Sequence, residues 1–183
     1  NMVNALIATE DERFYDHAGI DWKGTLRAFV YLGKRGGAST ITQQLARQIF
    51  VGVRSRNKIK TVLQKAQEWV IAIQLEQRYT KKEILAMYLN KYDFGYQADG
   101  VQSAAKIFFN KTPQTLSIEE SATLVGMLKN SSLFNPIRRA ERVRERRNTV
   151  FKQMLRNELI TPQAMDSLSE LPLEITYTPE SHR

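Results

Sequence analysis

The sequence predicts a mainly α-helical fold, and three features of its 183 residues carry that prediction. Apolar side chains recur three or four positions apart through most of the chain, the spacing that gathers them on one helix face. Hydroxyl residues followed three positions later by Gln or Glu precede several of these runs, at Thr40 and Gln43, Thr80 and Glu83, and Ser117 and Glu120, as helix N-termini favour. Strand-like alternation is confined to Leu173, Ile175 and Tyr177 near the C-terminus.

Composition narrows the chemistry. With 42% hydrophobic residues the chain can bury the core of one domain, or of one domain and the start of another. Absence of cysteine excludes disulfides and thiolate metal sites, and two histidines, His17 and His182, do not suit a multi-histidine zinc site. The net charge of +8 implies an anionic partner: nucleic acid, acidic lipid or a phosphorylated substrate. No apolar run is long enough to span a bilayer, and the N-terminus lacks a signal-peptide pattern. Because Asn1 falls inside an apparent helix, we expect an excised piece whose upstream anchor lies outside it.

Taken in order, Val3, Leu6 and Ile7 mark a helix that delivers the acidic run Ala8 to Asp21, with His17, Phe14 and Tyr15 among the carboxylates. Glu10 sits on the last turn, where the negative end of the helix dipole and apolar neighbours suit a proton-transferring acid. A charged loop after a surface helix is the plainer alternative. From Trp22 to Lys34, Trp22, Leu26, Phe29, Val30 and Gly33 fall at helical spacing, flanked by Lys23, Arg27, Lys34 and Arg35, which fits a helix lying in a membrane interface or an ordinary amphipathic core helix. Gly36 and Gly37 free the backbone before a helix capped by Ser39 or Thr40, with Ile41, Leu45 and Ile49 as the expected buried face and Gln43, Gln44 and Arg47 opposite. A Gly-rich turn feeding a hydroxyl-rich helix start is a ready anion site. Residues 50 to 65 carry Arg54, Arg56, Lys58, Lys60 and Lys65 without an acid, as in a solvated basic loop or a mobile phosphate-binding arm.

The helix from about Val62 to Arg78 is apolar on two sides, Ala66, Trp69, Val70 and Ile73 on one and Ile71, Ala72 and Leu75 on the other, so we expect it to be buried nearly all round. Glu68 on that second side must then be paired, perturbed or functional, and Lys65 is its nearest partner. Thr80, Glu83 and a Tyr79 to Ile84 staple open a helix that runs to Asn90 with Ile84, Leu85, Tyr88 and Leu89 inward. The aromatic, Gly-containing loop Tyr92 to Gly100 is expected to wall a cleft. Helices follow over Val101 to Phe109, with Ala104, Ala105, Phe108 and Phe109 in the core, and from Ser117 through Leu128. Asn135 and Pro136 then stop the chain. Arg138 to Leu159 reads as a helix with Val143, Val150, Phe151, Met154 and Leu155 inward and its arginines solvated. Thr161 and Pro162 start a last short helix.

Four blocks of this sequence, in order, resemble the peptidoglycan glycosyltransferases of glycosyltransferase family 51: Glu10, Asp11, Phe14, His17 and Gly19; Gly37 to Gln44; Lys65 and Glu68; and Ile84, Leu85, Tyr88, Leu89 and Asn90. Gly100 to Phe109 and Asn135 with Pro136 match as well. The resemblance covers nearly the whole chain and implies a lysozyme-like helical fold with a small membrane-facing lobe over about residues 20–36, which favours the interfacial reading of Trp22 to Lys34. It divides the chain into a glycosyltransferase domain over 1–170 and, over 171–183, the start of a linker to a transpeptidase domain. The implied reaction polymerises lipid II into β-1,4 glycan strands by inverting transfer, releasing polyprenyl pyrophosphate at the outer face of the bacterial cytoplasmic membrane, with the membrane surface and the growing strand as partners and no nucleic acid.

Residue by residue, the resemblance makes Glu10 the general base and Glu68 the second catalytic carboxylate. Arg47, standing where the family has a lysine, and Lys65 would neutralise the pyrophosphate. Substrate binding is carried onto Asp11, Phe14, His17, Ser39, Thr40, Gln43, Gln44, Arg47, Arg56, Lys65 and Asn90. No cofactor is required, with room for a divalent cation, Mg or Mn, at Glu68. Gln64 stands where the family has a basic residue, and the Arg47 to Glu68 stretch is longer than the family pattern by about five residues. Which of Arg54, Arg56, Lys58 or Lys60 replaces the family's other phosphate-binding arginine stays open. Two rivals remain: a lysozyme-like hydrolase or lytic transglycosylase, and a basic nucleic-acid-binding module.

Overall fold

Caps and apolar faces place the helices largely where the sequence puts them. The computed structural model describes residues 1–30, 39–53 and 55–178, without the side chains of residues 28 and 29. Gly33, Lys34, Arg35, Gly36, Gly37, Arg54 and His182, and the Phe29 side chain, lie outside the described residues, and with them most of the Gly-rich turn. Among the described residues the chain is helical with no strand, so the mainly α expectation holds. It divides into two compact units, residues 10–91 and residues 1–9 with 92–183.

Helix α1 (Met2–Glu10) ends on Glu10, which begins the 10–91 unit. A 3-10 turn over Phe14–Asp16 follows. Asp21 then opens α2 (Trp22–Val30) by accepting the Gly24 amide at 2.9 Å, and it is clamped by the Arg13 guanidinium. Burial alone would raise the Asp21 pKa, but the hydrogen bonds from Arg13 and Gly24 and the Arg13 charge outweigh it and hold the carboxyl below its ordinary value. Thr40 caps α3 (Ile41–Ala46) by accepting the Gln43 amide at 3.1 Å, and a π-helical turn runs over Arg47–Val51. Helices α4 (Lys58–Arg78) and α5 (Lys81–Lys91) both pack against α3. The predicted capping box of α5 forms, the Thr80 amide donating to Glu83 at 2.7 Å and Thr80 Oγ1 accepting from the Glu83 amide at 3.4 Å.

Three expectations for this unit are overturned. The basic stretch 50–65 is not a loop throughout: Asn57 accepts the amides of Ile59 and Lys60, so α4 starts at Lys58. Ile49 is exposed, because the π-turn rotates it off the Ile41 and Leu45 face, while Gln43, expected opposite that face, is buried. Helix α4 is also not buried all round. Its inward residues are Glu68, Ala72 and Leu75, whereas Ile59, Val62, Leu63, Val70 and Ile73 are exposed. At about 100° per residue these five lie in one stripe roughly 100° wide, opposite Glu68. The helix turns its carboxylate inward and its apolar stripe outward. On α2, Trp22, Leu26 and Val30 form a second outward stripe, 63–64% exposed. An edge contact between the Trp22 and Trp69 rings, centroids 5.6 Å apart, joins the two helices.

The other unit holds α6 (Gly100–Phe109), α7 (Ile118–Met127), α8 (Ala140–Arg156) and α9 (Pro162–Glu170), together with residues 1–9. Ala104, Ile107 and Phe108 of α6, Leu124 and Val125 of α7, and Val143, Val150 and Phe151 of α8 are buried. The capping box of Ser117 and Glu120 forms, as does the Thr161 cap with Pro162 in the first turn. In the loop before α6, Gly95, Tyr96 and Gln97 all have positive φ. The Tyr96 ring packs against Phe108 and Tyr177, and Phe94 is buried, so these aromatics serve this unit's own packing rather than an open wall.

One arginine of α8 departs from the predicted solvated face. Arg147 is 1% exposed and donates to the carbonyls of Leu168, Ser169, Leu171 and Pro172 at the end of α9, with its guanidinium over the Phe151 ring. Burial, then the neighbouring Arg144 charge, lower its pKa from the ordinary arginine value. A cation at a helix C-terminus meets the negative end of the dipole and the unpaired carbonyls together. Beyond it the tail is extended, with the Thr176 and Thr178 amides donating to the carbonyls of Phe108 and Ile107. The alternation at Leu173 and Ile175 thus reflects a segment laid along α6, not a strand of a sheet.

Candidate active site

Two carboxylates converge on consecutive residues of α3. Gln44 Nε2 donates to Glu10 Oε2 at 3.2 Å, and Gln44 Oε1 accepts from the Tyr88 hydroxyl at 3.0 Å. One position earlier, Gln43 Oε1 accepts from Lys65 Nζ at 3.0 Å, and the same ammonium donates to Ser39 Oγ at 2.8 Å and Glu68 Oε2 at 2.8 Å. Glu68 is 1% exposed, while the Lys65 side chain is 28% exposed, so the pair presents its cation outward and its anion inward. That geometry suits a site that must meet negative charge on a substrate.

Asp11 occupies the start of α3 itself. Its Oδ2 accepts the Ile41 amide at 2.9 Å, and His17 Nε2 lies 3.1 Å from its Oδ1. Asp11, an anion of the chain itself, thus takes the Ile41 amide at this helix N-terminus. Phe14 is fully buried and His17 nearly so, and Thr40 Oγ1 and Gln43 Nε2 both donate to the Gly19 carbonyl, at 2.7 and 3.4 Å. Asp11, Phe14, His17 and Thr40 thus tie the first two blocks together from beneath. Gln43 uses its amide on Gly19 and Lys65 rather than closing a capping box with Thr40.

Gly19 is the tightest point of that weld. Its φ is +88°, and an added Cβ would lie 2.8 Å from the Ala72 carbonyl carbon and oxygen of α4. We expect Gly19→Ala to cost about 2 kcal/mol by chemical denaturation and to lower activity as well, because its carbonyl holds Thr40 and Gln43. Wild-type denaturation and activity would remove this constraint.

A second ion pair, missed by sequence reading, supports the same weld. Glu76, nearly buried on α4, accepts from Thr42 Oγ1 at 2.6 Å and from Lys81 Nζ at 2.8 Å. Lys81 also donates to the His17 carbonyl at 2.6 Å and stands 4.3 Å above the Phe14 ring centroid. The available signal was spacing: Glu76 follows Glu68 by eight positions, two helical turns further along the inward side. The side chains of Arg47 and Arg56 make no hydrogen bond or ion pair with a described residue, and Arg56 and Asn90 are exposed. The structure does not draw Arg56 or Asn90 into the hydrogen-bonded cluster. Among the described residues no three Asp, Glu or His side chains gather to hold a metal ion, and the Lys65 ammonium sits on Glu68 Oε2.

The transglycosylase family model matches residues 1–155. The chain belongs to the transglycosylase family. It is 43% identical over 180 residues to penicillin-binding protein 1A of Escherichia coli (strain K12) and 41% identical over 180 residues to penicillin-binding protein 1A of Haemophilus influenzae, covering 96% of this chain in each case. Penicillin-binding protein 1F of Bacillus subtilis (strain 168) is 44% identical over 155 residues. The transglycosylase chain spans only 20–21% of the length of these relatives. The crystal structure of penicillin-binding protein 1A from Haemophilus influenzae superposes with a TM-score of 0.50 and 36% identity, covering 53% of this chain and 14% of that one. The transglycosylase fold is mainly α and lysozyme-like, as the resemblance implies.

Proposed function

We propose that this transglycosylase domain polymerises lipid II into β-1,4 glycan strands by inverting transfer. The observation that carries the reading is the attachment of both carboxylate networks, Glu10 and the Lys65 and Glu68 pair, to the adjacent residues Gln44 and Gln43. One site then holds a base and an anion-facing cation side by side, which is what a single displacement with a diphosphate leaving group needs. Glu10 accepts the proton of the acceptor's 4-hydroxyl as that oxygen bonds to the donor's anomeric carbon. The bond from that carbon to the pyrophosphate oxygen breaks on the opposite side, and the polyprenyl pyrophosphate leaves with the bonding electrons. Lys65 meets the charge that grows on it, and Glu68 fixes where the ammonium points. Arg47, half-buried and one helical turn beyond Gln43 and Gln44 in sequence, adds a second cation, and no divalent ion is needed.

The outward apolar stripes of α2 and α4 fit the same reading. Trp22, Leu26 and Val30 with Ile59, Val62 and Leu63 give an aromatic and aliphatic surface interleaved with Lys23, Arg27, Lys58 and Lys60, as a membrane interface favours. No described helix is long and apolar enough to cross a membrane. We place the domain at the outer face of the bacterial cytoplasmic membrane, where a lipid-linked donor is presented, with residues 171–183 leading toward a transpeptidase domain.

The deciding experiment is incubation with lipid II in detergent or vesicles, with and without chelator, followed by sizing of the glycan products. Strands should lengthen and polyprenyl pyrophosphate should appear, unchanged by chelator. Shortening of preformed strands with no polymer formed would instead make the protein a hydrolase or lytic enzyme.

A further inference from the structure

The sequence predicts Tyr88 on the inward face of α5, and it is fully buried. Its hydroxyl nevertheless donates to Gln44 Oε1 at 3.0 Å, and this choice of atom has chemical content. A primary amide carries an acceptor on one side and donors on the other. With its oxygen occupied by the phenol, Gln44 must present Nε2 to Glu10, as it does at 3.2 Å. Turned the other way, the amide would set its oxygen against a carboxylate oxygen, and the contact would be repulsive.

We propose that Tyr88 is a positioning residue for Glu10, acting through the orientation of the Gln44 amide. The proposal rests on the reading of Glu10 as the base. The phenol is itself well anchored. Helix α5 packs against α3, and its first residue, Lys81, is held to the His17 carbonyl and to Glu76. Position is thus relayed from the buried face of α5 to Gln44 and then, through the bond to Oε2, to the carboxylate. A base restrained in this way meets the acceptor hydroxyl in fewer orientations, and loss of that restraint lowers the fraction of encounters aligned for transfer.

The test is a double-mutant cycle on lipid II polymerisation, with kcat, KM and melting temperature measured for wild type, Tyr88→Phe, Gln44→Met and the double variant. Removing only the hydroxyl should lower kcat about tenfold with KM nearly unchanged, the scale of one hydrogen bond. Gln44→Met should lower kcat on its own, and in its background the Tyr88→Phe change should add less than about twofold, since the relay is already cut. The same tenfold loss in both backgrounds, or a wild-type kcat in Tyr88→Phe, overturns the proposal. If Tyr88→Phe lowers the melting temperature, the comparison between backgrounds still decides, because a purely structural loss would recur in the Gln44→Met protein. The base assignment is tested separately by Glu10→Gln: an inactive Glu10→Gln beside a silent Tyr88→Phe removes only the positioning role, and an active Glu10→Gln removes the reading beneath it.

Discussion

Glu10→Gln is expected to reduce polymerisation by about 1,000-fold while the protein folds and binds donor as before. The amide is nearly isosteric with the carboxylate and can still accept from Gln44 Nε2 through its own oxygen, so the contact to α3 survives. What it cannot do is take a proton from an acceptor hydroxyl. Melting temperature and affinity for a non-hydrolysable lipid-pyrophosphate should stay near wild type, and the loss should fall on kcat. Near-normal turnover in this variant would take Glu10 out of the mechanism altogether. The prediction follows from position: the last residue of α1 is half-buried and is bonded to a glutamine that is itself held by Tyr88.

Lys65→Met is expected to lower turnover by about 100-fold or more and to destabilise the fold by about 3 kcal/mol. Both effects come from one ammonium that serves Ser39, Gln43 and Glu68 at 2.8 to 3.0 Å. Without it a carboxylate almost wholly out of solvent loses the Lys65 charge, and the leaving diphosphate loses a counter-charge. The double variant Lys65→Met with Glu68→Gln separates these two roles. Removing both charges should recover most of the stability, read by denaturant titration, and none of the turnover. Recovery of turnover together with stability would show the pair to be structural only.

The helices and their caps were legible because they depend on neighbours in sequence. Thr80 with Glu83, Ser117 with Glu120, and Thr161 before Pro162 begin helices where predicted, since a cap is made within three or four residues of the amide it satisfies. Lys65 as the partner of Glu68 was legible for the same reason, one helical turn apart. The lysines and arginine around Asn57 predict a solvated run, yet the same local chemistry lets Asn57 cap α4 there.

What local pattern leaves undetermined is direction. Periodicity shows that α4 has an apolar stripe but not which way the stripe turns, and packing against α3 sends Glu68 inward and Val62, Leu63 and Val70 outward. Likewise the resemblance makes Asp11 and His17 substrate contacts and no local pattern singles out Glu76 or Lys81, yet Asp11 and Glu76 accept from α3, 30 and 34 positions away, His17 lies on Asp11, and Lys81 reaches Glu76 and the His17 carbonyl. Arg147, one arginine among many in α8, is buried because the end of α9 returns to it with unpaired carbonyls. The sequence by itself determined the helical class, the helix starts and the residues able to act as base and cation. The tertiary structure decided which of those residues meet one another, because a hydrogen bond between distant segments exists only once the chain has brought them within about 3 Å.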